Sequence, residues 1–120
     1  MPSKVPITLY SYNKCSTCRN ALKFLEAANI DADVKDIVET PPTKTDLKKM
    51  LKFQGEIKKL FNTSGILYRE MKLKEKLPSL SQDDALRLLS EHGKLVKRPF
   101  FLSEDHGLVG FKKEEWAKLC

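Results

Sequence analysis

The sequence predicts one α/β domain. A β-α-β unit at the N-terminal end and a β-β-α unit at the C-terminal end share a mixed sheet, and a run of helices is inserted between them. Three observations carry this reading. Ile7-Thr-Leu-Tyr10 suits a short strand and gives way, through a polar turn, to apolar residues at helical spacing. Lys94-Leu-Val-Lys-Arg-Pro-Phe-Phe-Leu102, which leads into a strand, and Leu108-Val-Gly-Phe111 flank the turn signal Asp105-His-Gly107, as in a hairpin. Between these ends, residues 43–91 carry a succession of helix start and stop signals.

Taken in order, Asn13 and Lys14 break the first strand, and Ala21, Leu22, Leu25, Ala28 and Ile30, with Phe24 beside them, mark a helix. Asn29 to Asp33 is a polar connection, and Ala32-Asp-Val-Lys-Asp-Ile-Val38 alternates well enough for a second strand. A connection this long suits parallel pairing with the first. Thr40-Pro-Pro-Thr43 ends that strand. Thr43, with Asp46 three residues on, resembles a capping box with Asp in place of Glu. Leu47, Met50, Leu51 and Phe53 give a helical face that Gly55 stops, and Ile57, Leu60 and Phe61 a shorter one stopped by Asn62-Thr-Ser-Gly65. Tyr68 to Leu77 reads as one or two short helices ending near Pro78. Ser81-Gln-Asp-Asp84 starts a helix with a serine cap and acidic first turn. Leu86, Leu88, Leu89 and Ala85 form its buried side, and Gly93 is its expected C-cap. Lys94 to Leu102 leads into the hairpin, and Lys112 to Leu119 closes the chain as a helix that packs Trp116 and Leu119.

Composition sets bounds. The chain has 120 residues, of which 41% are hydrophobic and 32% charged, an ordinary globular balance with enough length for a core. No apolar run approaches the roughly 18 residues of a membrane span. No apolar leader precedes the first strand, so a cytoplasmic protein without membrane association is expected. The net charge of +6 lies in the middle third: residues 44–76 hold ten Lys or Arg against four Asp or Glu. Such a segment is either an electropositive footprint or a solvated helical surface. Sparse aromatic interleaving (Phe53, Phe61, Tyr68) favours the second, and no direct DNA binding is expected.

The chemistry is concentrated at Cys15-Ser-Thr-Cys18, between the first strand and the first helix. A thiol at a helix N-terminus faces unpaired N–H groups and the positive end of the helix dipole, which favour thiolate. Lys14 and Arg19 add charge nearby, with Lys14 a solvated turn residue. Cys18, one turn later on the same face, is within reach of a disulfide. Cys15 is therefore the expected nucleophile and Cys18 its resolving partner. Three cysteines do not make a secreted disulfide framework, so Cys-x-x-Cys reads as redox-active or metal-binding. A zinc site would need His92, His106 or Cys120 to complete it, none at ligand spacing, so no metal is expected. Cys120 reads as an exposed terminal thiol.

Few folds accept this element order with Cys-x-x-Cys after the first strand. A thioredoxin-like sheet is the economical solution. Its core covers about residues 5–40 and 94–120, with the helical insertion over about 43–91 of a single domain, 1–120. In such a fold Pro99 stands at a strand entrance facing the cysteine turn, where a cis peptide is expected. Arg98 before it either points its guanidinium toward Cys15 or a bound anion, or is simply solvated. Asn13, Ser16, Thr17 and Pro99 surround the turn and are the candidate substrate-binding positions, the backbone N–H groups around Ser16 and Thr17 supporting the thiolate.

Cys15-Ser-Thr-Cys18-Arg19-Asn-Ala, Pro41-Pro42, Phe61-Asn-Thr-Ser-Gly65, Tyr68-Arg-Glu, Lys97-Arg-Pro99 and Val109-Gly-Phe occur in an order and spacing that resembles the arsenate reductase/Spx-like (ArsC-like) family. The resemblance covers nearly the whole chain. It implies a thioredoxin-like domain with a helical insertion, Cys15 as nucleophile and Arg98 as the anion-binding arginine. Glutaredoxin-linked arsenate reductases of this kind hold their oxyanion with three arginines. Here Asn62 and Phe111 stand at two of those positions, which argues against efficient arsenate reduction. The resemblance thus implies a thiol–disulfide oxidoreductase with no bound cofactor. It would act on a small thiol or disulfide and draw on glutathione, glutaredoxin or thioredoxin as co-substrate. The alternative it implies is an Spx-like redox-sensing regulator that binds the RNA polymerase α-subunit, with the same cysteines as its switch.

Overall fold

A computed structural model describes residues 7–119. Four strands form one mixed sheet in the order β2-β1-β3-β4: β1 (Thr8–Ser11), β2 (Asp33–Asp36), β3 (Phe100–Leu102) and β4 (Gly107–Val109). β1 pairs parallel with β2 and antiparallel with β3, and β3 pairs antiparallel with β4. This is the thioredoxin-like arrangement, with α1 (Ser16–Ala27) linking the parallel pair. The insertion comprises α2 (Lys44–Gln54), α3 (Ile66–Glu70), α4 (Leu73–Lys76) and α5 (Gln82–Glu91), and α6 (Lys113–Trp116) closes the fold. None of the described helices is long and apolar enough to cross a membrane.

The pleat divides the core between the two faces of the sheet. Leu9 and Phe101 point to one side, where they meet Ala21 and Leu25 of α1 and Trp116 of α6. Tyr10, Phe100 and Leu102 point to the other, into a larger cluster with Leu47 and Met50 of α2, Tyr68 of α3 and Leu86 and Leu89 of α5. The insertion is therefore one wall of the core. Trp116 is fully buried among Phe24, Phe101 and Phe111, and its indole N–H donates to the Gly110 carbonyl at 3.0 Å. On the other face the Tyr10 hydroxyl donates to Asp46 at 2.9 Å, tying β1 to α2.

The capping signals are realised in the backbone. The hydroxyl of Thr43 accepts the Asp46 N–H, and that of Ser81 accepts the Asp84 N–H, each at 3.1 Å. Gly55 ends α2 in the left-handed region (φ 85°), returning its N–H to Leu51. Tyr68 to Leu77 contains the end of α3, all of α4 and the start of a 3-10 turn over Leu77–Ser79.

Several boundaries differ from the sequence expectation. β2 is shorter than the alternating run, because at Ile37 the chain bends and Asp36 caps the turn by accepting the Val38 and Glu39 N–H groups. β4 starts at Gly107 and stops before Gly110, whose φ of 74° turns Phe111 out of the sheet. Leu88 is only half-buried. Gly93 is not a left-handed C-cap: His92 ends α5, and Gly93 begins a 3-10 turn packed against the chain after β2. A Cβ at 93 would stand 1.7 Å from the Ile37 carbonyl oxygen, so the glycine is a packing requirement. Cys120 lies outside the described residues. Gly93→Ala is accordingly expected to cost about 3 kcal/mol in urea unfolding. Thr43→Ala, which removes one cap from an exposed helix end, should cost about 1 kcal/mol.

Candidate active site

β1 runs through the centre of the sheet, so its C-terminal end delivers the following turn to the middle of one sheet edge. There Cys15 is the N-cap of α1, with extended backbone (φ −104°, ψ 117°). Its N–H is held by the Tyr12 carbonyl at 3.0 Å, and its sulfur accepts the Cys18 N–H at 3.3 Å. The thiol takes the role that Ser or Asp usually plays at a helix start. No acidic side chain lies in the first turn of α1 to compete for its positive end. Arg19 closes the turn by donating to the Asn13 carbonyl at 2.9 Å.

The two thiols differ in kind. Cys15 is half-buried and Cys18 fully so, and both are free thiols. Burial pushes the Cys15 pKa up, but hydrogen bonds from the Cys18 thiol and amide and the nearby Arg98 guanidinium outweigh it, leaving Cys15 below the ordinary range. Burial, and then the interaction with Cys15, push Cys18 up to about 11. The Tyr12 amide and the Ser11 hydroxyl act on Cys18 in the opposite sense without reversing this.

Arg98 arrives from β3. The register places Phe100 opposite Tyr10, so the residue two positions earlier lies opposite Tyr12, at the cysteine end of the sheet. The Arg98–Pro99 peptide is cis. The guanidinium carbon sits 4.9 Å from the centroid of the Tyr12 ring, a cation–π stack. Among the described residues, Arg98 Nη1 alone is a buried side-chain polar atom without a hydrogen-bond partner.

A cleft of about 460 Å³ opens beside this stack, lined by Tyr12, Asn62, Gly65, Glu70, Lys94 and Arg98 among others. A larger groove, about 720 Å³, lies at the far end of β1 against Thr8, Phe53 and Leu102. No cysteine lines either space, and the smaller cleft borders Cys15 through Arg98.

The structure thus brings Cys15, Cys18 and Arg98 together. Ser16 and Thr17 are exposed on the first turn of α1, Asn13 is exposed in the turn before it, and Pro99 is buried at the start of β3. Asn62 lines the cleft, while Phe111 packs against Phe24 and Trp116. His106 lies in the β3–β4 hairpin at the opposite end of the sheet, and His92 is exposed at the end of α5. Among the described residues no group of three or more His, Cys, Asp or Glu could hold a metal ion. The lysines of residues 44–76 are exposed, except half-buried Lys44, which pairs with Asp83. Sequence reasoning missed Tyr12, Glu70 and Lys94. Tyr12 carried a signal, standing two residues after Tyr10 at the strand end; Glu70 stood in the Tyr68-Arg-Glu motif without being read as a site residue, and Lys94 carried none.

A four-stranded thioredoxin-like sheet with a helix-capping Cys-x-x-Cys defines a class of thiol proteins. Within it, the sequence model of the ArsC family matches residues 10–119, and the chain belongs to that family. It is 44% identical to the uncharacterised protein YusI of Bacillus subtilis, over 93% of this chain and 96% of that one. The crystal structure of an ArsC-family-related protein from Bacteroides fragilis superposes with a TM-score of 0.91 at 43% identity, covering 98% and 100% of the two chains. More distant relatives carry the names arsenate reductase (Neisseria meningitidis, 31% identical over 87% and 89%) and global transcriptional regulator Spx 2 (Bacillus anthracis, 29% over 93% and 85%).

The thiol asymmetry is directly measurable. Alkylation by iodoacetamide as a function of pH should show Cys15 reacting with a midpoint below about 8.5, and the Cβ chemical shift of Cys18, whose buried sulfur the reagent does not reach, should titrate near 11. Arg98→Gln should move the Cys15 midpoint upward. Linkage gives the reduced protein opposite slopes in two windows. Stability rises with pH below about 8.5, where unfolded Cys15 binds more protons. It falls between about 8.5 and 11, where folded Cys18 binds more.

Proposed function

We propose that this protein is a thiol–disulfide oxidoreductase with Cys15 as nucleophile and Cys18 as resolving cysteine. Its electrons come from glutathione, or from a glutaredoxin or thioredoxin. The observation that carries this reading is the asymmetry of two thiols one helical turn apart: one exposed enough to attack and biased toward thiolate, the other buried and biased toward thiol. The Cys15 thiolate attacks one sulfur of a substrate disulfide, forming a mixed disulfide and expelling the other half as a thiolate, which takes a proton from water. Cys18 then loses its proton and attacks the Cys15 sulfur, releasing the second half and leaving an intramolecular disulfide. Two electrons pass from the dithiol to the substrate, and two equivalents of the reducing thiol restore it. The reading assumes a cytoplasmic setting in which such thiols are kept reduced.

Efficient arsenate reduction is not part of the proposal. With Asn62 and Phe111 at two positions where related reductases carry arginine, a single guanidinium, that of Arg98, is left beside the thiolate. That is poor compensation for a dianionic oxyanion. Cys15→Ser should abolish reduction of small disulfides, while Cys18→Ser should accumulate the mixed disulfide, visible as a mass adduct on Cys15. Full turnover in Cys15→Ser would overturn the proposal.

The likeness to Spx 2 over 93% of the chain favours one second reading, a redox-sensing regulator that binds the RNA polymerase α-subunit. It predicts binding to purified α-subunit that differs between the dithiol and disulfide forms. No binding in either form rejects it.

A further inference from the structure

We infer that the cleft beside Arg98 binds the α-amino-acid end of a low-molecular-weight disulfide, taking its carboxylate at Arg98 and its ammonium at Glu70. The inference rests on the oxidoreductase reading and narrows its substrate.

The cleft is a held structure. Phe61 and Val96 form an antiparallel bridge, the Asn62 N–H donates to the Leu95 carbonyl at 2.7 Å, and the Lys97 N–H donates to the Leu60 carbonyl at 2.8 Å. These contacts fasten the 62–65 loop to the segment that ends in Arg98. A Cβ at Gly65 would stand 2.8 Å from Asn62 Nδ2, so the missing side chain leaves room for the Asn62 amide to lie against the loop. At about 460 Å³ the cleft matches small-ligand sites in size.

Its charges select the ligand. Arg98 Nη1 is buried without an acceptor, an arrangement that a carboxylate completes. Lys94 and Glu70 are exposed in the same cleft, and among the described residues neither makes an ion pair. Two cations and one carboxylate therefore face a single space. A neutral disulfide leaves Nη1 unsatisfied. A dianionic oxyanion satisfies the cations but sets its own charge against Glu70. A carboxylate and an ammonium on one carbon answer both signs. The sulfur is a short chain from that carbon in cystine and a longer, flexible one in glutathione disulfide, and Arg98, which holds the carboxylate, also borders Cys15.

The test uses Cys18→Ser, in which Cys15 thiolation stops at the mixed disulfide. Its rate is read by intact mass with cystine, glutathione disulfide, dithiodipropionate (carboxylate only), cystamine (ammonium only) and hydroxyethyl disulfide (neither). Each rate is divided by that of free cysteine with the same disulfide. Cystine and glutathione disulfide should exceed hydroxyethyl disulfide by about tenfold. Glu70→Gln, at an exposed position, should slow the first two by about threefold and leave dithiodipropionate unchanged. The same ranking should hold in the unsubstituted protein, read as the rate of Cys15–Cys18 disulfide formation, which keeps the test decisive if Cys18→Ser folds poorly. Normalised rates equal within twofold, or a Glu70→Gln effect as large on dithiodipropionate as on cystine, overturn the inference and leave the thiol chemistry standing. Absence of Cys15 thiolation by every disulfide removes both readings together.

Discussion

The 3.3 Å hydrogen bond from the Cys18 N–H to the Cys15 sulfur is the contact on which the site depends. It exists because the chain leaves the central strand of the sheet and enters a helix within four residues, so that a sulfur occupies the capping position. The rest of the molecule keeps that geometry fixed. β1 is hydrogen-bonded on both sides, parallel to β2 and antiparallel to β3. Ala21 and Leu25 press α1 onto one face, and the Tyr10–Asp46 hydrogen bond anchors the other. Burial, and then that bond to Asp46, hold the Tyr10 phenol well above its ordinary pKa, so it remains a donor.

The two parts of the chain contribute differently to the site. The ends supply the reacting groups: Cys15 and Cys18 from the β1–α1 junction, Arg98 from the approach to β3. The middle third supplies Asn62, Gly65 and Glu70, which shape the space next to them. The Phe61–Val96 bridge joins the two contributions. The excess lysines of the middle third take little part in this and lie on the surface.

The elements that sequence made legible are those with local causes. Thr43 and Ser81 cap helices through contacts three residues away, Gly55 stops one through its own backbone, and Cys15 meets α1 three residues on. What was illegible has causes distant in sequence. Gly93 looks like a helix stop but is small because Ile37, more than fifty residues earlier, passes against it. The strand ends follow the same rule: β2 is cut short by the Asp36 turn, and β4 by the φ of Gly110. Tyr12 beneath Arg98 follows from the β1–β3 register, and Lys94 and Glu70 line one cleft because the insertion packs against the sheet.

The complete burial of Cys18 has a consequence for direction of attack. A disulfide joining the two sulfurs presents a single reachable atom, Cys15 Sγ, to an incoming reductant, and the departing group is then always Cys18. Because Cys18 is the more basic thiol, it is the poorer leaving group, so the regeneration half of such a cycle is slow unless its departing sulfur is protonated. The same burial shields Cys18 from peroxide, confining over-oxidation to its half-buried partner Cys15. One side chain turned into the core thereby imposes regiochemistry on a reaction whose reagents never touch it.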